Sequence, residues 1–197
     1  MDVKYIEIDA HPKAEPEEWG FVLSKAISRL HGIFRSHEIR GGIDLPLATE
    51  VSTGSKLRVF GREPVLNAVV NNAGIQDFQK RRMIKLGPIQ SVPEDAWKIR
   101  VRRVRKKGEA ELLKRARRKR QFLLNKGVDP KEIKSVQALK AQGRSKERRP
   151  YFLIEKDNGK YSIFFKQDTA PEDAAWSEDG FNSYGLSSNE RGVVFRF

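Results

Sequence analysis

The chain has 197 residues and carries 39 Lys and Arg against 26 Asp and Glu, a formal net charge of +13 at pH 7. This excess excludes the acidic surface of an ordinary cytosolic enzyme, while a hydrophobic fraction of 38% is enough for a folded core. The chain has no cysteine, which excludes disulfides, a thiol nucleophile and cysteine-ligated zinc. No apolar run approaches the ~20 residues of a membrane span, so we expect a cytoplasmic protein with no membrane partner.

The excess of positive charge is concentrated in one part of the chain. Residues 1–97 are charge-balanced, and residues 150–197 have a net charge of −3. Residues 98–121 hold 13 basic and 2 acidic side chains, and residues 131–149 add a net +5. A dense cationic segment between two less charged ones predicts a polyanion-binding surface, and nucleic acid is the favoured ligand. The alternative is a solvated helix face or a disordered tail, but leucines interleaved with the cations favour a folded element.

The first half of the chain predicts four strands and two helices. Apolar and charged residues alternate over residues 3–9, which indicates a strand. Pro16 suits the first turn of a helix, and apolar residues recur at helical spacing as far as Phe34. The later elements are a strand, a strand, a helix and a strand, at residues 38–46, 56–60, 65–70 and 83–86. This order predicts a ferredoxin-like (RRM-like) domain over residues 1–92.

The second half predicts an RNA-binding domain over residues 93–197. A basic extended strip at 98–107 leads into an arginine-rich helix at about 109–126, which Gly127 closes. Residues 131–149 predict a second basic helix that is followed by a loop at 143–149. A β-hairpin follows at about 151–166, because Asn158-Gly159 accommodates the positive φ angles of a tight turn. The predicted fold class is therefore α+β, with a basic helix and a small β-containing C-terminal part after the first domain.

Three histidines are the only candidates for a general base of nearly neutral pKa: His11, His31 and His37. His31 is predicted on or just after the last turn of the first helix, where a histidine is more often a cap or a partly buried residue. A protein that binds RNA can cut it with a general base and correct geometry alone. We therefore expect neither a metal nor another cofactor.

Several short motifs run along the chain, and the one nearest the C-terminus is the most specific. They are Arg29-Leu30-His31, Gly42-Ile43-Asp44-Leu45-Pro46, residues 54–59, Val92-Pro93, Arg103-Val104-Arg105 and Gly180-Phe181-Asn182-Ser183-Tyr184-Gly185-Leu186-Ser187. In these motifs the sequence resembles the CRISPR repeat-processing endoribonuclease of type I-F systems. The resemblance covers almost the whole chain.

The resemblance implies an enzyme that binds a short stem-loop of CRISPR repeat RNA and cuts at the 3′ base of the stem without metal. The products would carry a 2′,3′-cyclic phosphate and a 5′-hydroxyl. The enzyme would then stay on the mature guide RNA, with other subunits of the type I-F complex as partners. The alternative is a non-catalytic subunit that only binds an RNA hairpin in a ribonucleoprotein.

The resemblance also implies roles for single residues. His31 would be the general base on the 2′-hydroxyl, and Tyr184 would orient that hydroxyl, the alternative for Tyr184 being a packing role. Arg103 and Arg105 would contact base edges, or only phosphates. The remaining cations expected at the RNA are Arg102, Lys107, Lys114, Arg115, Arg117, Arg118, Lys119 and Arg120.

Two positions depart from the family pattern. Arg105 stands where the family has glutamine, and arginine suits guanine whereas glutamine suits adenine. The catalytic serine of the family is missing from the first strand of the predicted hairpin, and either Lys156 or Ser162 could replace it. Tyr161 is the substitute candidate for the family's aromatic that stacks under the closing base pair.

Overall fold

The structure is a computed structural model that describes residues 2–11, 13–105, 109–142, 148–156 and 159–197. Within these ranges, the side chains of residues 109, 110, 142 and 156 lie outside the description. The chain forms two compact units: residues 1–104 with 149–197, and residues 105–148. The predicted α+β fold is confirmed, since the described residues form two antiparallel sheets and several helices.

The first sheet has the strand–helix–strand–strand–helix–strand order that was predicted. Its strands are β1 (Lys4–Ala10), β2 (Gly42–Asp44), β3 (Lys56–Gly61), β4 (Ile84–Leu86) and β5 (Gln90–Ser91). They pair in the order β2-β3-β1-β4, and β5 also pairs with β1. Its helices are α1 (Pro16–Ser36), α2 (Glu63–Val70) and α3 (Ala73–Lys80). Helix α3 was not predicted because only Ile75 of its residues is buried, so it has little apolar periodicity.

Helix α1 ends at Ser36, two residues after Phe34, the last apolar residue of the predicted periodicity. It begins with Pro16 and a capping box between Glu15 and Glu18. Its buried face continues past Leu30 to Ile33 and Phe34, and this burial extends the helix to Ser36. His31 therefore lies inside the helix, more than one turn before its end, and the prediction that placed it on or after the last turn was wrong.

The second sheet contains the basic strip and the predicted hairpin. Its strands are β6 (Trp97–Val104), β7 (Tyr151–Lys156), β8 (Gly159–Thr169) and β9 (Val194–Arg196), in the order β7-β8-β6-β9. The hairpin is confirmed as the pair β7 and β8, although the turn residues 157 and 158 lie outside the described residues. Ile99 and Val101 of β6 are buried, so the basic strip also contributes to the core.

Helix α1 joins the first sheet to the second. It packs against β7, which is an edge strand. The Ser24 hydroxyl accepts a hydrogen bond from the Leu153 backbone N–H at 2.9 Å and donates to the Gly20 carbonyl at 2.5 Å. An edge-strand donor is thereby satisfied by a helix side chain. Because of such contacts both sheets belong to one compact unit, and the division of the structure does not follow the predicted boundary after residue 92.

The unit of residues 105–148 contains the arginine-rich helix. Helix α4 (Glu109–Asn125) packs against α5 (Val136–Gln142), which begins later than the second basic helix predicted from residue 131. Gly127 ends α4 with a φ of 78°, and its N–H donates to the Leu124 carbonyl at 2.9 Å. This confirms the predicted glycine C-cap. Among the described residues, no helix is both long enough and apolar enough to cross a membrane.

Candidate active site and RNA-binding surface

His31 occupies a half-buried position on α1 and contacts the C-terminal loop. Its Nδ1 lies 3.2 Å from the carbonyl oxygen of Ser183. Because a carbonyl can only accept a hydrogen bond, this contact requires a proton on Nδ1. In the neutral ring the lone pair is therefore on Nε2, which is the nitrogen that can take up a proton.

The ring of Tyr184 stacks on the ring of His31. Their centroids are 4.0 Å apart and their planes differ by 5°. Tyr184 lies on a tight loop in which the side-chain oxygen of Asn182 accepts hydrogen bonds from the backbone N–H of Tyr184 at 2.8 Å and of Leu186 at 3.3 Å. Asparagine thus fixes the backbone that carries the tyrosine.

The same loop is attached to both sheets of its unit. The Gly185 carbonyl accepts from the Ile43 N–H of β2 at 2.9 Å, and the Ser187 N–H donates to the Val101 carbonyl of β6 at 2.8 Å. Gly185 has a φ of 74°, and a Cβ there would come within 2.7 Å of the Ile43 side chain. Glycine is therefore required by both conformation and space. These contacts account for the glycine at position 185 of the motif.

Tyr161 adds a third aromatic side chain to this cluster, because its hydroxyl is hydrogen-bonded to the hydroxyl of Tyr184. Burial raises the pKa of the Tyr184 phenol, and the hydrogen bond to Tyr161 raises that pKa further. The positive charges of Arg103 and Arg35 have the opposite effect on the Tyr184 pKa. The Tyr184 phenol thus keeps its proton near neutral pH, and two guanidinium groups contribute positive potential at the cluster.

The two candidates for the missing serine are placed differently. Ser162 follows Tyr161 directly in β8, and successive side chains of a strand point to opposite faces. Ser162 is therefore on the face opposite the Tyr161–Tyr184 contact, and the structure does not bring it to His31. Lys156 is the last residue of β7 and pairs with Gly159, while its side chain lies outside the described residues.

The cations of the predicted basic strip differ in their ion pairing and in the compact unit to which they belong. Arg102 forms a two-pronged ion pair with Asp168, at 2.9 Å from Nε and 2.6 Å from an Nη. Burial alone would raise the Asp168 pKa, but Lys166 and Arg102 lower it on balance. Arg103 is exposed, and so is Arg105 in the other unit. Lys107 lies outside the described residues.

The cations of helix α4 are mostly exposed, although the helix also has buried apolar residues. Leu112 and Ala116 are buried, as is Leu139 of α5. The exposed cations of the helix are Lys114, Arg115, Arg117, Arg118 and Lys119, and Arg120 is half-buried. Several guanidinium and ammonium groups within three turns form a surface suited to phosphates.

Arg35 and Asn182 were missed as contributors to the site. Arg35 is four residues after His31 on the same helix, so the i,i+4 spacing could have identified it. Asn182 acts through a turn hydrogen bond that only the folded loop reveals. Within the described ranges, no group of three or more His, Asp or Glu side chains could hold a metal ion.

Comparison with protein families identifies the chain. The family described as CRISPR-associated protein (Cas_Csy4) matches residues 5–194. The chain belongs to this family. Cas_Csy4 proteins are the type I-F CRISPR repeat endoribonucleases, so the predicted resemblance is confirmed, and with it the processing and binding of CRISPR repeat RNA. None of the curated proteins compared matches the chain significantly.

Proposed function

We propose that this Cas_Csy4 protein is a metal-independent endoribonuclease that cuts at the 3′ base of the repeat stem-loop and keeps its product bound. The observation that carries the proposal is the contact of His31 Nδ1 with the Ser183 carbonyl, together with the stack on Tyr184. This arrangement holds a histidine in one tautomer beside a protonated phenol. A base and a hydrogen-bond donor are what transesterification by the 2′-hydroxyl needs.

In the proposed reaction, Nε2 of His31 takes the proton of the RNA 2′-hydroxyl. The 2′-oxygen then forms a bond to phosphorus while the bond from phosphorus to the 5′-oxygen breaks. The 5′-oxygen takes a proton from water, which leaves a 2′,3′-cyclic phosphate and a 5′-hydroxyl. The face of Tyr184 lies 4.0 Å from the imidazole and stabilises the imidazolium that forms.

Tyr184 and the nearby guanidinium groups would orient the reacting atoms. The raised pKa of Tyr184 means that its hydroxyl keeps its proton and acts as a donor to the 2′-oxygen. Arg103 and Arg35 would balance the negative charge of the scissile phosphate. Each of these groups is held on a strand or helix or on the anchored loop, which favours a fixed geometry.

The exposed cations of α4 would bind the RNA stem. An A-form major groove is usually too narrow for side chains, but it opens near a helix end. Contacts to the stem are the same before and after the strand is cut 3′ of it, so cleavage removes little binding energy. We therefore infer slow product release and a stoichiometric role, with the bound guide RNA connecting the protein to other subunits of the type I-F complex.

The test uses end-labelled repeat RNA in EDTA, followed by analysis of the product ends. We expect full cleavage with a cyclic phosphate on the upstream product and a 5′-hydroxyl on the downstream product. A requirement for Mg²⁺, or a 3′-hydroxyl product, would overturn the proposed chemistry. With RNA in tenfold excess over protein, we expect about one equivalent of product, whereas rapid turnover of all the RNA would refute retention only.

A non-catalytic hairpin-binding subunit is the second candidate. The observation that favours it is the absence of serine from β7, whose residues are Tyr151–Lys156. Tight hairpin binding with no cleavage in the same experiment would select this alternative.

A further inference from the structure

We propose that Tyr161 is a positioning residue that acts through Tyr184 and orients the Tyr184 hydroxyl toward the RNA. The inference rests on the proposed function and assigns to Tyr161 a role other than the base stacking expected from the sequence. It depends on the position of Tyr161 in the hairpin, on the freedom of the Tyr184 ring and on the hydrogen-bonding capacity of two hydroxyls.

The hairpin register directs Tyr161 toward the cluster. Tyr161 of β8 lies opposite Ile154 of β7. Side chains alternate along a strand, so Tyr161 shares its face with Ile163 and Phe165, both of which are fully buried. Its own side chain is half-buried, and its hydroxyl reaches the hydroxyl of Tyr184. The hairpin core thus sets the direction of Tyr161 before any RNA is bound.

The Tyr184 ring needs the contact with Tyr161 to be fixed in all directions. Stacking on His31 restrains the ring along the direction perpendicular to its plane but allows sliding within the plane. The hydrogen bond from its N–H to Asn182 fixes the backbone end of the residue. The bond to Tyr161 fixes the opposite end, at the hydroxyl. Only the three restraints together determine where the Tyr184 oxygen lies.

A hydroxyl is also a suitable partner for Tyr184, because it can leave the Tyr184 proton available to the RNA. A carboxylate or carbonyl could only accept, and would therefore engage the Tyr184 proton itself. When Tyr161 donates to the Tyr184 oxygen, the O–H of Tyr184 remains to donate to a third group. Hydrogen bonds in such a chain polarise one another and strengthen the outer donor. The burial that keeps Tyr184 protonated supports this arrangement.

The variant Tyr161→Phe tests the proposal, because it keeps the ring and removes only the hydroxyl. We expect single-turnover cleavage to slow roughly 10-fold, as a small displacement of a positioned group is costly, with hairpin affinity unchanged. In a Tyr184→Phe background, Tyr161→Phe should slow cleavage no further. The matched control is Tyr151→Phe on the same hairpin, whose side chain is 46% exposed; its cleavage rate should equal that of the wild type.

Two outcomes would overturn the proposal: a wild-type rate for Tyr161→Phe, or an equal additional loss in the Tyr184→Phe background. A second readout does not require cleavage. Alkaline titration followed by phenolate absorbance should show the ionisation of Tyr184 displaced in Tyr161→Phe, because the hydrogen bond between the two hydroxyls contributes to the Tyr184 pKa. An unchanged titration would also overturn the proposal. Hairpin binding without cleavage by the wild type would instead refute the nuclease function.

Discussion

His31, Tyr184 and Tyr161 reach one cluster from a helix, a loop and a strand, and His31 is 152 residues from its hydrogen-bond partner Ser183. The cations of α4 instead follow one another along a single helix, in the other compact unit. The first arrangement depends on tertiary packing, and the second on local helix formation and charge. Cleavage and binding should therefore respond to different substitutions.

The largest effect is expected for His31→Ala. Loss of the general base should reduce the single-turnover cleavage rate by ~10²- to 10⁴-fold, while hairpin affinity stays nearly unchanged because a neutral imidazole contributes little to phosphate binding. Cleavage assays and gel-shift titrations measure the two quantities. His37→Ala, at the exposed C-cap of α1, is the matched control and should leave both quantities unchanged. Wild-type cleavage by His31→Ala would remove the histidine from the mechanism.

Removal of the Asp44 carboxylate should destabilise the fold and thereby slow cleavage. The side chain is fully buried and pairs with Arg196 at 2.5 Å. Burial raises the Asp44 pKa, and the hydrogen bond from Arg196 opposes the rise. Asp44→Ala leaves that guanidinium unpaired, so we expect the free energy of unfolding to fall by about 3 kcal/mol.

Urea denaturation measures this loss, with Asp173→Ala as the exposed control. Because β2 also holds the Gly185 carbonyl through Ile43, cleavage should weaken together with stability. An Asp44→Ala protein of unchanged stability would show that the ion pair between Asp44 and Arg196 does not stabilise the fold.

Neutralising Arg115 and Arg118 should weaken binding without altering the chemistry. Each phosphate contact that is lost flattens the dependence of log affinity on log salt by about 0.9, so the double alanine variant should lose roughly one to two units of slope. Hairpin affinities measured between about 50 and 200 mM salt give this slope. The control removes Lys80 and Lys85, two exposed cations of the other unit. An unchanged slope for the α4 variant would mean that this helix does not contact RNA.

The smallest effect is expected for Glu155→Gln in acid. Hydrogen bonds from Lys160 and Lys25 lower the Glu155 pKa from 4.5 to about 2. A carboxyl with a lowered folded-state pKa stabilises the fold above its unfolded pKa, and this contribution disappears as the pH falls toward 2. The stabilisation from the Glu155 ion pairs is small because the Glu155 side chain is exposed. Thermal melts should show a wild-type advantage over Glu155→Gln at pH 6 that shrinks by about pH 3; a constant difference would contradict the ion pairs.

Local patterns were enough to predict the elements whose apolar or glycine signals are strong. The alternation in β1, the Asn-Gly hairpin and the glycine end of α4 all depend on neighbouring residues. The short helix α3 was not found because it buries only Ile75 and therefore has little apolar periodicity.

The site could be predicted only in part. His31 and Tyr184 were chosen from motifs, and the structure brings them together. The contact of Tyr161 with Tyr184 and the pairing of Arg102 with Asp168 depend on strand register and long-range packing, which no local pattern contains. A net charge is visible in the sequence, but whether a given cation is already paired is not.

The register of β8 has a consequence for protein engineering. Phe164 of β8 pairs with Val104, the last residue of β6, on one side and with Tyr151, the first residue of β7, on the other. The chain therefore leaves the second sheet at β6 and returns to it at β7, and only β8 lies between these two strands. Two strand spacings separate these points by roughly 10 Å, a gap that a linker of about four or five residues spans. Residues 105–148 are thus an insertion between two fixed ends, and an unrelated domain could be grafted in their place without interrupting the strands that carry the cluster of His31, Tyr184 and Tyr161.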